Sequence, residues 1–198
     1  AAEALAMGAQ VTLVSTVELP VPAGAVLRVV ETAAQMQAAV EALAPVADVV
    51  VMSAAVADFR PKVAEPGKIK KDGGVPEIVL EPTPDILAGL GVRKRPGQVL
   101  VGFAAETSDL VANAQAKLLR KNLDLIVAND VSAPQVGFQH DTNAVTLLGA
   151  AGVISTVALT DKRSVARAIL QCVAELRSGV SRSDSTRQSN PTDSGAAQ

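Results

Sequence analysis

Side chains able to do chemistry concentrate in Ala54-Ala55-Val56-Ala57-Asp58-Phe59-Arg60-Pro61 and Lys68-Ile69-Lys70-Lys71. They follow the short apolar run Asp48-Val49-Val50-Val51-Met52, the pattern of a strand covered on both faces in a parallel sheet. In open α/β sheets ligands bind beyond the carboxyl ends of strands. Small residues such as Ala54, Ala55 and Ala57 let a ligand approach the backbone there, and Asp58, Arg60 and Lys68 would project into the same space. Lys68 follows Gly67, which frees the backbone beside a long cationic side chain. The alternative is a polar turn solvated like any other.

The surrounding sequence alternates helical and strand patterns. Ala1 to Met7 with Gly8 reads as a helix end with its terminal glycine, and Gln10–Ser15 as a strand. A proline-rich connection leads to a second extended piece at Val26–Val30. Thr32 and Gln35 form a capping box ahead of an apolar helical face made by Met36, Ala39, Val40 and Leu43, ending near Pro45. After the Val49 strand, Glu77–Leu80 is extended, and Thr83-Pro84-Asp85-Ile86 opens a helix with proline at its first position.

Val99–Phe103 is the next buried strand, with Phe103 expected in the core unless it serves a ligand. A helix over Ser108–Asn122 turns Leu110, Ala114, Leu118 and Leu119 inward. Leu123–Ala128 is a further strand with the polar exit Asn129-Asp130-Val131. Polar groups therefore leave three successive strands, which suggests one shared cleft. Ala144–Leu148 and Val153–Leu159 flank Gly149 and Gly152 as an antiparallel hairpin closing one sheet edge, before an amphipathic helix from Asp161 to Ser178. The polar stretch 179–198 cannot bury a core and is expected to be a disordered tail, leaving 1–178 as one domain.

Composition excludes several classes. Lys+Arg at 18 against Asp+Glu at 20, with 2% aromatic residues, provides neither the field nor the stacking platforms of a large nucleic-acid surface. The single Cys172 cannot form an internal disulfide, and no Cys/His cluster has metal-ligand spacing, so a reducing compartment, the cytoplasm, is expected. Apolar runs are strand-sized, far below the ~20 residues of a membrane helix. Cys172, between Leu170 and Val173 on an apolar helix side, reads as an inert thiol, and His140 as a surface histidine.

Taken together, Ala54–Pro61, Lys68–Lys71, Phe103-Ala104-Ala105-Glu106-Thr107, Lys121-Asn122-Leu123-Asp124 and Asn129-Asp130-Val131 resemble the phosphopantothenoylcysteine synthetase family, in order and spacing, from residue 1 to residue 178. The resemblance implies a Rossmann-like, mostly parallel sheet with helices on both faces and an antiparallel hairpin at one edge. It also implies a homodimer and coupling of 4'-phosphopantothenate to L-cysteine with CTP and Mg²⁺, through an acyl cytidylate, releasing CMP and diphosphate in coenzyme A synthesis. In bacteria the family is commonly fused behind a decarboxylase that carries FMN; that partner is not in this chain. The family's opening strand and its Gly/Ser/Asn-rich loop would lie ahead of Ala1, so the sheet is expected to lack a central strand. That loop also supplies the family an asparagine associated with the acyl-cytidylate step.

Carried over position by position, the resemblance places CTP contacts at Asp58, Lys68, Thr83, Pro84, Asp85, Ile86, Phe103, Lys117 and Lys121, with Lys68 as the catalytic cation. Ala55, Phe59, Arg60 and Asn129 are secondary candidates, and metal ligands are left open. Each has an ordinary alternative: helix capping for Thr83 and Pro84, a solvated stripe for Lys117 and Lys121, turn formation for Asn129. Two other functions fit a chain of alternating strands and helices, a NAD(P)-dependent oxidoreductase and a silent assembly subunit. No Gly-x-Gly-x-x-Gly follows any strand here, which disfavours the first.

Overall fold

A short helix α1 (Ala2–Ala6) leads into the parallel pair β1 (Val11–Ser15) and β2 (Ala25–Val29), and helix α2 (Ala33–Leu43) then carries the chain to β3 (Val49–Met52). The computed structural model describes residues 1–18, 20–63, 67, 77–106, 108–130 and 141–179. The start of α2 is the capping box read from sequence: Thr32 Oγ1 accepts from the Gln35 N–H, and the Gln35 side chain accepts from the Thr32 N–H.

Beyond β3 a small antiparallel arm forms from β4 (Phe59–Pro61) and β5 (Leu80–Pro82). Helix α3 (Ile86–Val92), β6 (Val99–Glu106), helix α4 (Leu110–Arg120) and β7 (Leu125–Asp130) follow. The hairpin of β8 (Thr142–Gly149) and β9 (Gly152–Asp161) and the long helix α5 (Lys162–Ser178) complete the described chain. The main sheet has the order β3-β6-β7-β8-β9, parallel from β3 to β7 and antiparallel beyond. The fold is thus α/β with a mostly parallel sheet and an antiparallel edge hairpin, as the sequence led one to expect. β1 and β2 form a separate parallel pair that is not hydrogen-bonded to β3.

Alternation along β6 explains the two cores. Leu100 and Ala104 pack with Ile126, Ala128, Leu87, Leu90, Ala114 and Leu118, so α2, α3 and α4 lie on one face. Val99 and Val101 pack with Leu125, Val127, Val165, Ile169 and Cys172, so α5 covers the other. Burying each large aliphatic chain contributes about 1.5–3 kcal/mol. α1 is tied to the α5 side: buried Glu3 accepts from Nε of Arg163 at 2.9 Å and of Arg167 at 3.0 Å. These two guanidinium groups hold the Glu3 carboxyl below the usual carboxylate range.

Several sequence expectations need correction. β3 is not covered on both faces: Val51 is 44% exposed, and among the described residues β3 has a strand neighbour on one edge only. Leu119 is 61% exposed rather than inward, since α4 buries only Ala114 and Leu118 fully. α3 begins at Ile86 with Asp85 as its cap, so Pro84 stands outside the helix. Asn129 and Asp130 belong to β7 rather than to a turn. The tail beyond Gly179 and His140 lie outside the described residues.

Candidate functional site

Because β3, β6 and β7 are adjacent and parallel, their C-terminal ends share one edge of the sheet. A cleft of about 130 Å³ opens there, lined by Met52, Ala54, Val56, Ala57, Asp58, Thr83, Pro84, Asp85, Ile86, Leu87, Phe103 and Lys121. The expected convergence therefore occurs for the ends of β3 and β6. Asp58, Thr83, Pro84, Asp85, Ile86, Phe103 and Lys121, all anticipated from sequence, line one concavity.

Each is held by an identifiable contact. The Thr83 N–H donates to the Asp58 carbonyl at 2.8 Å, and Thr83 Oγ1 donates to the Ala57 carbonyl, which ties the loop after β3 to the strand before α3. Asp85 Oδ1 accepts from the Ala88 N–H at 3.0 Å, capping α3, while its Oδ2 pairs with Lys121 Nζ at 2.9 Å. Burial alone would raise the Asp85 carboxyl, but the Ala88 N–H, Lys121 and Arg120 together hold it below its ordinary value. Asp85 thus caps one N–H of the first turn of α3, that of Ala88.

Phe103 is 39% exposed on the cleft wall. An aromatic ring left open toward a cleft offers a stacking surface. Lys117 sits one turn before Lys121 on α4 and donates to Glu106 Oε1 at 2.6 Å. It does not line the cleft in this arrangement, and neither do Ala55, Phe59, Arg60 or Asn129. Arg60 pairs with Glu81 across the β4/β5 arm. Asn129 faces Ala105 and Val145 in the sheet, and its Oδ1 is buried without a hydrogen-bond partner among the described residues. Lys68 lies outside the described residues.

Sequence reasoning missed the part played by Gly91. Its close approach to the backbone of Lys121 sets where that lysine starts, and the signal for it was only a glycine inside a short apolar helix pattern. It also missed a larger cavity of about 360 Å³ between β1 and β3, which shares Met52 and Ala54 with the cleft lining.

Fold and cleft together define a Rossmann-like α/β domain with its concave site at the carboxyl ends of parallel strands. Residues 1–176 match the DNA/pantothenate metabolism flavoprotein C-terminal domain family, and the chain belongs to it. This agrees with the resemblance carried by the motifs. The chain is 45% identical over 175 residues to the coenzyme A biosynthesis bifunctional protein CoaBC of Bacillus subtilis, covering 87% of this chain and 43% of that protein. It is 43% identical over 176 residues to a cysteine/cysteine sulfinic acid decarboxylase from an unknown prokaryotic organism, covering 87% of this chain and 49% of the other. The crystal structure of the C-terminal domain of a CoaBC protein superposes with a TM-score of 0.72 at 38% identity, over 89% of this chain and 79% of that one. The chain spans about half the length or less of these curated relatives.

Proposed function

We propose that this chain is the ligase part of a coenzyme A biosynthesis enzyme, which binds CTP at the edge of β3 and β6 and joins 4'-phosphopantothenate to L-cysteine. The observation that carries the reading is the meeting of Asp58, Thr83, Asp85, Phe103 and Lys121 in one cleft, at positions the family resemblance assigns to the nucleotide. A stacking ring, hydrogen-bonding groups and a cation suit a base and its phosphates.

The reaction proceeds in two displacements. A carboxylate oxygen of the pantothenate attacks the α-phosphorus of CTP, and the bond to diphosphate breaks. The cysteine amine then attacks the acyl carbon, the bond to CMP breaks, and the nitrogen gives up a proton to leave an amide. Carboxylate and triphosphate repel, so cations must offset the charge where it develops. Lys121 does so from the described cleft, Lys117 from one turn away once it leaves Glu106, and Lys68 is the assigned catalytic cation. The described cleft is smaller than the ~300 Å³ typical of a small-molecule site, and Met52 and Ala54 line both it and the cavity between β1 and β3.

Among the described residues no group of three His, Cys, Asp or Glu side chains forms a metal cage. Mg²⁺ asks for less, since one or two carboxylates plus substrate phosphates ordinarily hold it. Asp58 presents hard oxygen donors in the cleft and would hold the ion with the triphosphate, whereas both carboxylate oxygens of Asp85 are engaged, by the Ala88 N–H and by Lys121. Bound there, Mg²⁺ would supply further neutralisation of phosphate charge.

Self-association into a homodimer belongs to the same reading. Phe59 and Leu80 on the β4/β5 arm, with Val63, Ile78 and Val79 beside it, are exposed, and a second copy of the arm would cover them. Sedimentation showing only monomer at tens of micromolar would exclude it. Among the described residues no helix is long and apolar enough to cross a membrane.

The test of function is release of CMP from CTP, dependent on both 4'-phosphopantothenate and cysteine. A thermal shift with CTP and Mg²⁺, but not with a nicotinamide dinucleotide, separates this reading from an oxidoreductase, and a shift with neither points to an assembly subunit.

A further inference from the structure

Glu106 lies in Phe103-Ala104-Ala105-Glu106-Thr107, one of the motifs that carry the family resemblance, yet no step of the proposed reaction uses it. It stands at the carboxyl end of β6, beside the strand exits that form the cleft. Residues alternate between faces along a strand, so Glu106 shares the side of Leu100 and Ala104, which pack against α3 and α4. Leu87 and Lys121 of the cleft come from those same two helices. α4 begins just after β6, and a helical side chain leans back toward the start of its helix. Lys117 does so, donating from Nζ to Glu106 Oε1 at 2.6 Å. The carboxylate depends on this one cation. The Glu106 side chain is 13% exposed against 38% for Lys117, Asn113 Nδ2 reaches its Oε2 only at 3.4 Å, and no other cation among the described residues pairs with it.

A carboxylate so enclosed is costly to leave without a partner. In the proposed reaction Lys117 turns to the triphosphate, so Glu106 needs a second cation once the nucleotide is in place. The group that fills its seat in the structure is a primary alkylammonium. The amino-acid substrate carries the same group and is needed only after the nucleotide, since its nitrogen attacks the acyl cytidylate. Mg²⁺ travels instead with the phosphates that draw Lys117 away. We propose that Glu106 is the subsite for the α-ammonium of the amino-acid substrate, filled here by Lys117 and opened when the triphosphate takes that lysine. The inference rests on the ligase reading and adds an order to it, nucleotide before amino acid. The contact is one of binding, a charge-assisted hydrogen bond that places the nitrogen, whose extra proton passes to water before the attack.

The 198-residue chain is titrated with L-cysteine under reducing conditions, with and without CTP and Mg²⁺, while the backbone amides of Glu106 and Asn113 are followed by NMR. With 4'-phosphopantothenate left out, no turnover intervenes. Cysteine should bind about tenfold or more tightly when CTP is present. Glu106→Gln should weaken cysteine in the CTP complex by about tenfold or more, the order of a lost charge-assisted contact, while CTP binds no more weakly than to the parent. 3-Mercaptopropionate, which is cysteine without its ammonium, should bind the parent and Glu106→Gln alike; a general disturbance of the site would not spare it. Lys117→Met should let cysteine bind without nucleotide, about tenfold or more tightly than the parent does. Unchanged cysteine affinity in Glu106→Gln with CTP still bound, equal weakening of 3-mercaptopropionate, loss of CTP binding in Glu106→Gln, or no gain in Lys117→Met would overturn the proposal and leave the ligase reading standing. Failure of the parent chain to bind CTP would remove that reading, and the proposal with it.

Discussion

A methyl group placed on Gly91 would stand 1.9 Å from the carbonyl oxygen of Lys121. The end of α3 and the end of α4 therefore meet backbone to backbone, and Asn122 seals the junction. Asn122 adopts a left-handed φ of 52° and donates from Nδ2 to the Gly91 carbonyl at 2.8 Å. Lys121 reaches Asp85 from this fixed base. The cleft's described cation is thus positioned by a glycine that never faces the ligand.

Gly91→Ala should lower stability by about 1–3 kcal/mol, the range for forcing an extra methyl into a packed site. It should also weaken the CTP response by displacing Lys121. Urea denaturation and a CTP titration measure the two effects separately. Unchanged values of both would show that the α3/α4 junction yields freely.

Lys121→Met and Asp85→Asn should part company. The first removes a charge-assisted contact worth about 1.5–3 kcal/mol, so CTP should bind roughly tenfold more weakly or worse. Asn is as good a helix cap as Asp, and an exposed ion pair contributes only about 0–1 kcal/mol. Asp85→Asn should therefore fold nearly as well as the parent while freeing Lys121. Calorimetric titration with CTP checks both.

Phe103→Ala distinguishes wall from core. Truncating a buried phenylalanine costs about 3–5 kcal/mol. With Phe103 39% exposed, the loss should be less than about 2 kcal/mol by that scale, accompanied by weaker nucleotide binding. A full core penalty with intact binding would return Phe103 to the interior.

Acid should destabilise the fold from a known set of groups. Glu3, Glu41, Asp85 and Asp161 are all held below their ordinary values, by Arg163 and Arg167, by Arg93, by the Ala88 N–H and Lys121 against the effect of burial, and by Ser164, respectively. A carboxyl lowered in the folded state stabilises above its unfolded pKa and loses that contribution as pH falls through the folded one. The melting temperature should stay level from neutrality to about pH 5 and fall below about pH 4, where unperturbed carboxyls titrate. Glu3→Gln should flatten part of that fall; an identical profile would remove Glu3 from the account.

What the sequence revealed was what is local. The Thr32–Gln35 box, most of the apolar strands and the β8/β9 hairpin depend on neighbours a few residues apart and stand where their patterns put them, whereas the extended run expected at Glu77–Leu80 forms a strand only from Leu80, as β5. Long-range contacts were not legible: Glu3 with Arg163 and Arg167, Gly91 against Lys121, or the exposure of Val51 on β3. β4 escaped notice because Phe59-Arg60-Pro61 reads as a polar exit, and it becomes a strand only through pairing with β5. At the site, the types and order of Asp58, Thr83, Asp85, Phe103 and Lys121 were readable through the family's motifs. Their convergence required β3 and β6 to be parallel neighbours.

The most direct test of the central claim is the structure of the chain crystallised with CTP and Mg²⁺. The account predicts the nucleotide at the carboxyl ends of β3 and β6, its triphosphate within reach of Lys121 and its base or ribose against the wall formed by Phe103, Thr83 and Asp58. A nucleotide bound elsewhere, with the Lys121–Asp85 cleft left as it stands, would contradict it.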